Sequence, residues 1–236
     1  MRKRVAFAFG PCLLLLGCYP TLPPHLAEGT EVLRPGGVSL NFAGGGAGFA
    51  ANVSPSAGTT STTEVAGGLE SRVRVGIGAK QEIGASLFVG YGSSYGGAGA
   101  PFALGGKLSY KIAPLPWLAF VADAGALSEG SAFVAILGGD LAVIVAPYTF
   151  ANGSQWYVAA RGSFAVPVLS GARAVNESVE LPIGLALHTS KRVRLFVEGG
   201  PVLGFAQEVT DAAPNFSQGV TSIGAYGVIG VTFILR

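Results

Sequence analysis

The sequence predicts an all-β fold: an antiparallel up-and-down transmembrane β-barrel of about ten strands, with about eight as the alternative. Three observations predict it. Apolar and polar side chains alternate with a period of two over most of the chain after residue 35, as strands with one face toward lipid require. Only 12% of residues are charged and the mean hydropathy is +0.52, whereas a water-soluble domain carries about 25% charged residues. No charge-free helical pattern of about 18 residues is present. A chain this apolar, with 37 glycines, is expected to cross a membrane by strands that close on one another.

The opening residues carry an address. Arg2-Lys3-Arg4 precede an apolar stretch from Val5 to Leu16. That is the layout of a secretory leader, and its length of about 12 residues falls short of the roughly 20 that span a bilayer. Leu15-Leu16-Gly17-Cys18 resembles the lipobox of bacterial lipoproteins. The resemblance implies a signal peptide over 1–17, cleavage before Cys18 and a lipid anchor on Cys18. An ordinary leader cut near the same place, with Cys18 left as a thiol, is the alternative. Cys12 and Cys18 are the two cysteines. One leaves with the leader and the other carries lipid, so no disulfide is expected. Pro20, Pro23 and Pro24 resist helix formation, so 18–34 reads as an extended linker and 35–236 as the barrel. The chain has 15 Lys+Arg against 13 Asp+Glu. With the three leader bases removed the mature charge is near zero, and no basic patch remains for nucleic acid.

The strands follow in order. The first lies near Val38 to Phe49, weakened by Gly44-Gly45-Gly46. A polar connection over 52–62 leads to the clearest strand, Glu64 to Ile77. There Val65, Leu69, Val73, Val75 and Ile77 take one face, and Glu64, Glu70, Arg72 and Arg74 the other. Gly78-Ala79-Lys80-Gln81 makes a tight turn into Ile83 to Tyr91. The next strand, Phe102 to Ile112, sets Leu104, Leu108 and Tyr110 against Lys107, Ser109 and Lys111. Pro114 and Pro116 place a turn at 113–116.

The stretch 117–147 reads as a hairpin turning near Ser128 to Ser131. A short spanning helix over 131–147 competes, but Gly138-Gly139-Asp140 at its centre argues against it. Three further strands are Trp156 to Val166, Val179 to Leu187 and Val193 to Phe205, the last two joined by a tight turn at 189–192. A polar connection over 206–219 precedes the last strand, Ile223 to Leu235. Short turns belong to the periplasmic side and long ones to the outside. Tyr91, Phe102, Phe133 and Phe205 then fall at outer strand ends, with Tyr110, Trp156 and Phe233 at inner ends, as two aromatic girdles.

With these features the chain resembles the small outer-membrane β-barrel proteins of Gram-negative bacteria over roughly 35–236. The resemblance implies an outer-membrane location, with outer-membrane lipids and the barrel assembly machinery as partners. Such proteins usually end in an aromatic residue, and this chain ends Phe233-Ile234-Leu235-Arg236, which bears on its assembly signal.

The barrel reading turns Glu64, Glu70, Arg72, Arg74, Lys107, Lys111, Asp123, Asp140, Arg161, Glu180, Arg194 and Glu198 into the lumen. Mixed charges in a narrow lumen most often form a salt-bridged plug. The alternative is a narrow path for ions or small solutes, for which inner-face Gly84, Gly90, Gly184 and Ala186 leave room. The expected role is therefore structural, or the binding of a ligand or surface through the outer loops. A passive pore is the second reading. The third is a soluble lipid-anchored barrel with charged faces outside and a small apolar ligand inside.

An enzyme is not expected. Gly92-Ser93-Ser94-Tyr95-Gly96 matches G-x-S-x-G, but no helix follows. After the leader the histidines are His25 in the linker and His188 at the predicted periplasmic rim. With no Cys or His pair, no metal site or cofactor is expected. Gly44-Gly45-Gly46-Ala47-Gly48 lacks the Lys-Ser/Thr of a phosphate loop.

Overall fold

In the computed structural model the alternation closes into a barrel of antiparallel strands. The structure describes residues 29–53, 60–93, 102–129, 134–167, 173–209 and 220–235. The strands are β1 (Val38–Val53), β2 (Thr60–Gly78), β3 (Gln81–Ser93), β4 (Phe102–Leu115), β5 (Leu118–Glu129), β6 (Val134–Thr149), β7 (Gln155–Pro167), β8 (Arg173–Glu180), β9 (Ile183–His188), β10 (Val193–Val209) and β11 (Val220–Ile234). Each pairs with its neighbour, and β11 pairs with β1 along Ser39↔Ile234 to Asn52↔Thr221, so no edge is left open. β8 and β9 both pair with β7 and β10. They are two halves of one stave, which makes the barrel ten-stranded.

That stave breaks at Leu181-Pro182, which the alternation over 179–187 did not reveal. Pro182 has no N–H to give the ladder. Its carbonyl still accepts from the Ala159 amide at 2.8 Å, and Leu181 N–H donates to Pro201 O at 3.2 Å, so pairing resumes after two residues. Two other details differ from expectation for similar reasons. β4 runs through Pro114 at a register shift between Ile112 and Leu115, which moves the turn from 113–116 to Pro116-Trp117. β1 continues unbroken through Gly44–Gly46, each paired on both sides. Residues 134–147 are strand and pair with β5 and β7, which overturns the helix alternative.

The faces sort sharply. Leu69, Leu87, Leu108, Leu141 and Ile229 point out and are each about two-thirds exposed, while Glu70, Arg72, Lys107, Asp140, Arg161 and Glu198 are buried inside. This corrects the soluble-barrel alternative, which needs charges outside and apolar faces inside. The charged side chains here pair with one another in the interior, and among the described residues no second layer covers the apolar outer wall.

The turns at 79–80, 116–117, 150–154 and 189–192 lie at one end, together with Val38 and Leu235, whose amide donates to Val38 O at 2.8 Å. The strand ends at Val53, Thr60, Ser93, Phe102, Glu129, Val134, Pro167, Arg173, Val209 and Val220 lie at the other. Residues 29–37 lie at the first end, here called the near end. Exposed Trp117, Tyr148, Phe150, Trp156, Phe42 and Phe233 gather there, with Tyr148 on Phe150 (centroids 4.8 Å apart) and Phe42 on Phe233 (6.4 Å), both edge to face. Exposed Phe102 and Phe205 lie toward the far end. The leader, Cys18, His25 and Phe133 lie outside the described residues, as does the G-x-S-x-G stretch beyond Ser93.

The lumen as candidate functional site

The lumen is built in three levels. At the near end the chain before β1 crosses the mouth as a strap. Thr30 N–H donates to Gln155 Oε1 (2.9 Å), and its hydroxyl to Pro116 O (2.6 Å). Leu33 N–H donates to Glu82 Oε2 (2.9 Å), and Lys111 Nζ donates to Gly29 O (2.8 Å). Glu31 accepts from Arg194 Nη1 at 2.8 Å and lies 3.0 Å from His188 Nε2. Val32 packs on a buried apolar group formed by Ala113, Ala119, Ile144, Ala146, Tyr157, Ala159 and Ala186. The part of 18–34 that is described is thus bound to five strands, not extended away from them. Gly76 makes this possible: a Cβ there would collide with the carbonyls of Leu33 and Arg34.

Just above, Arg74 Nη1 holds Glu82 Oε1 at 2.8 Å. At mid-height runs a belt of charge. Arg72 bonds Glu70 (3.0 Å). Arg161 reaches Glu180 (3.1 Å) with one nitrogen and Glu198 (3.1 Å) with the other. Glu198 also accepts the hydroxyls of Tyr157 (2.9 Å) and Tyr226 (2.8 Å). It is one carboxylate with three charged or polar donors, which offsets the cost of burying it. Lys107 stands within electrostatic reach of Glu70, Asp140 and Arg161. Asp123 sits directly opposite Asp140 in the β5–β6 register.

The far half is built differently. Its inner wall carries glycines, among them Gly68 opposite Gly90 and Gly125 opposite Gly138, with buried Phe49, Phe88 and Val202 between them.

Eleven of the twelve expected lumen residues are placed on the inner wall, Asp123 buried among them, and the side chain of Glu64 lies outside those described. Glu70, Arg72, Arg74, Lys107, Lys111, Asp140, Arg161, Glu180 and Glu198 are buried, and Arg194 is half-buried at the near rim. The strap joins Arg194 and Lys111 to the near end, apart from the mid-height belt. Sequence reasoning missed Glu82, Gln155 and Tyr226. Glu82 shares the parity of Gly84 and Ser86, so alternation alone carries the signal. Gln155 lies one residue before the expected strand, and nothing local marks it.

The room expected at Gly84 and Gly184 is taken. A Cβ on Gly184 would meet the Tyr157 ring, and one on Gly84 would meet Ser109 Oγ. The same arrangement recurs where Phe49 lies over Gly224, Phe88 over Gly105 and Phe196 over Gly230. Tyr157, Phe49, Phe88 and Phe196 each cover a glycine of the neighbouring strand. Among the described residues, no group of three or more His, Cys, Asp or Glu side chains is placed to hold a metal ion.

No family model and no curated protein matches the chain. Solved structures do. The outer membrane protease OmpT from Escherichia coli is 8% identical, covers 87% of this chain and all of its own, with a TM-score of 0.41. An outer membrane channel from Pseudomonas putida F1 is 10% identical and covers 90% of this chain and all of its own, at 0.44. The translocator domain of the autotransporter NalP from Neisseria meningitidis is 9% identical and covers 97% of this chain and 95% of its own, at 0.41. Likenesses this general, to a protease, a channel and a translocator, single out no activity.

Proposed function

We propose that the chain is an outer-membrane β-barrel lipoprotein. In this reading it is exported, cut before Cys18 and lipidated there, and it spans the bilayer with ten staves. Its lumen is closed, and it acts as a structural element or binds a ligand or surface through its far-end connections. The outward belt of Leu69, Leu87, Leu108, Leu141 and Ile229 supports the membrane placement, since a wall this apolar has a partner of matching polarity in lipid. The orientation follows: strap, short turns and lipid anchor on the periplasmic side, the other connections outside.

The observation that carries the closed lumen is the strap. Thr30, Val32 and Leu33 lie at the near mouth, hydrogen-bonded to β3 and β7 and packed on β4, β5, β6 and β9. The paired belt of Arg72, Glu70, Arg161, Glu180 and Glu198 supports it at mid-height. Single-channel recording in a planar bilayer tests this. The purified mature protein, shown to be folded by its heat-modifiable gel position, is expected to give no discrete conductance steps. Steps whose size changes when Arg74 or Lys107 is replaced would establish the second reading, a narrow pore, which the glycine-lined far half favours.

A further inference from the structure

We propose, resting on the membrane placement above, that one side of the near rim docks the headgroups of anionic phospholipid. The side in question is the arc from the β9–β10 turn to the β2–β3 turn. Hydrogen bonds trace it. Lys191 and Arg192 lie in the β9–β10 turn, and Arg192 O accepts the amide of Ile234 in β11 at 2.8 Å. Leu235 N–H donates to Val38 O of β1 at 2.8 Å. Just before β1, Gly36 N–H donates to Gly76 O of β2 at 2.8 Å, and Arg34 O accepts the Gly37 amide at 2.8 Å. Lys80 sits in the β2–β3 turn that ends the arc. Neighbouring strands are about 4.8 Å apart, so the four bases span about 20 Å of rim.

Among the residues whose side chains are described, Arg34, Lys80, Lys191 and Arg192 are the exposed bases. The positive charge of that surface is thus gathered on one side of one end. The acids stand elsewhere or are taken. Glu31, partly exposed at the same mouth, is held by Arg194 and His188. Glu177, the exposed acid among those residues, pairs with Phe205 toward the far end. Lys80 Nζ gives one bond to Pro114 O (2.6 Å) and keeps two protons to donate. The side chains of Arg34, Lys191 and Arg192 make no hydrogen bond or ion pair with a described residue.

The opposite arc has another character. The β4–β5 turn and the segment joining β6 to β7 present exposed Trp117 and Phe150 and no charge. Aromatic rings suit the headgroup level of any lipid. Clustered bases are complementary to headgroups with net negative charge, and an arginine fork matches phosphate oxygens. The level favours lipid over an acidic macromolecule. Arg192 is bonded beside Ile234, one residue from exposed Phe233, which packs on exposed Phe42. The bases therefore stand at the margin of the apolar wall. Above them that wall is low: Gly46 pairs with Gly67 and Gly227, and Gly227 with Gly199, in one row across β2, β1, β11 and β10. Acyl chains below a docked headgroup meet backbone there.

Electron spin resonance of the folded mature protein in phosphatidylcholine vesicles tests this, with trace spin-labelled phosphatidylglycerol or phosphatidylcholine as the probe. Lipid slowed at the barrel wall is expected to favour phosphatidylglycerol roughly threefold. About 1 M NaCl, which screens charges beyond about 3 Å, is expected to remove most of that preference from wild type. Joint replacement Arg34→Gln, Lys80→Gln, Lys191→Gln and Arg192→Gln is expected to abolish it, and Glu177→Gln to leave it whole. The salt arm needs no variant to fold. Slowed lipid with no preference in wild type overturns the proposal and leaves the arc to an acidic macromolecule. A preference that survives the four substitutions overturns it too. Absence of slowed lipid altogether is a different result, and it overturns the membrane placement together with what rests on it.

Discussion

At the scale of single residues, the two acids of the belt that touch Arg161 are not equivalent. Glu180 meets Arg161 alone among the described partners, at 3.1 Å. Glu198 gathers Arg161, Tyr157 and Tyr226. Glu198→Gln keeps the volume but turns an amide N–H2 toward donors that need an acceptor. It is expected to cost roughly 3 kcal/mol, at the low end for a broken buried pair because Arg161 keeps Glu180. Glu180→Gln should cost less. Urea midpoints of the two folded variants, compared in one lipid, check the order, and a larger loss for Glu180→Gln would contradict it. Parity made these acids legible in the sequence: every second residue of β2, β4, β7, β8 and β10 turns inward, and the charges fall on that register. Parity did not make Tyr226 legible, because its strand carries no other inward charge and its neighbours there are glycine, valine and serine.

At the scale of elements, the strap is the piece that alternation could not show. Residues 29–34 have proline-rich chain before them and no periodicity of their own. Their partners, Glu82, Pro116, Gln155, His188 and Arg194, are spread over 113 positions of sequence, from 82 to 194. Only the closed barrel brings those partners to one mouth. The amides of Thr30 and Leu33, donated to buried side chains, are expected to exchange with solvent as slowly as those of the strands, as hydrogen-exchange mass spectrometry of peptides spanning 29–35 would show. Glu31→Ala removes the contacts to His188 and Arg194. Because Glu31 is partly exposed, that change should loosen the strap by about 1 kcal/mol, roughly fivefold in exchange. Fast exchange in wild type would mean that the strap does not seal the mouth. The strand count survived the break at Pro182 because both halves keep the same neighbours, so a discontinuity in one stave leaves the number of staves at ten.

At the scale of the whole molecule, one apolar surface runs all the way round, and in the proposed membrane reading its middle is the most demanding level. Leu141 is 68% exposed on the outer wall, one residue from inward Asp140. Leu141→Arg is expected to cost roughly 2–4 kcal/mol in a bilayer, the price of a cation near the midplane. The same change on a soluble protein's surface would be nearly neutral. Reversible unfolding from liposomes measures it, and a loss below about 0.5 kcal/mol would place this wall in water. This level of the fold was the most legible, because low charge and strict alternation are properties of the whole chain that no single turn or bulge disturbs. The irregularities concentrate at the near rim, where Pro114, Pro147 and Gly76-Ile77-Gly78 fall at register shifts. Rim positions close the barrel without deciding its topology.

The strap also sets an order of events. It precedes every strand in the chain, yet its docking is complete only once β9 supplies His188 and β10 supplies Arg194. The first described segment is therefore among the last to be fully held. Until then Val32 and Leu33 lack the cover of the completed barrel, and an uncovered terminal segment is open to cleavage. A protease in the same compartment would cut chains that stalled before the eighth and ninth staves formed and would spare those that finished. The seal of the mouth would thus double as the mark by which a completed barrel is told from an incomplete one.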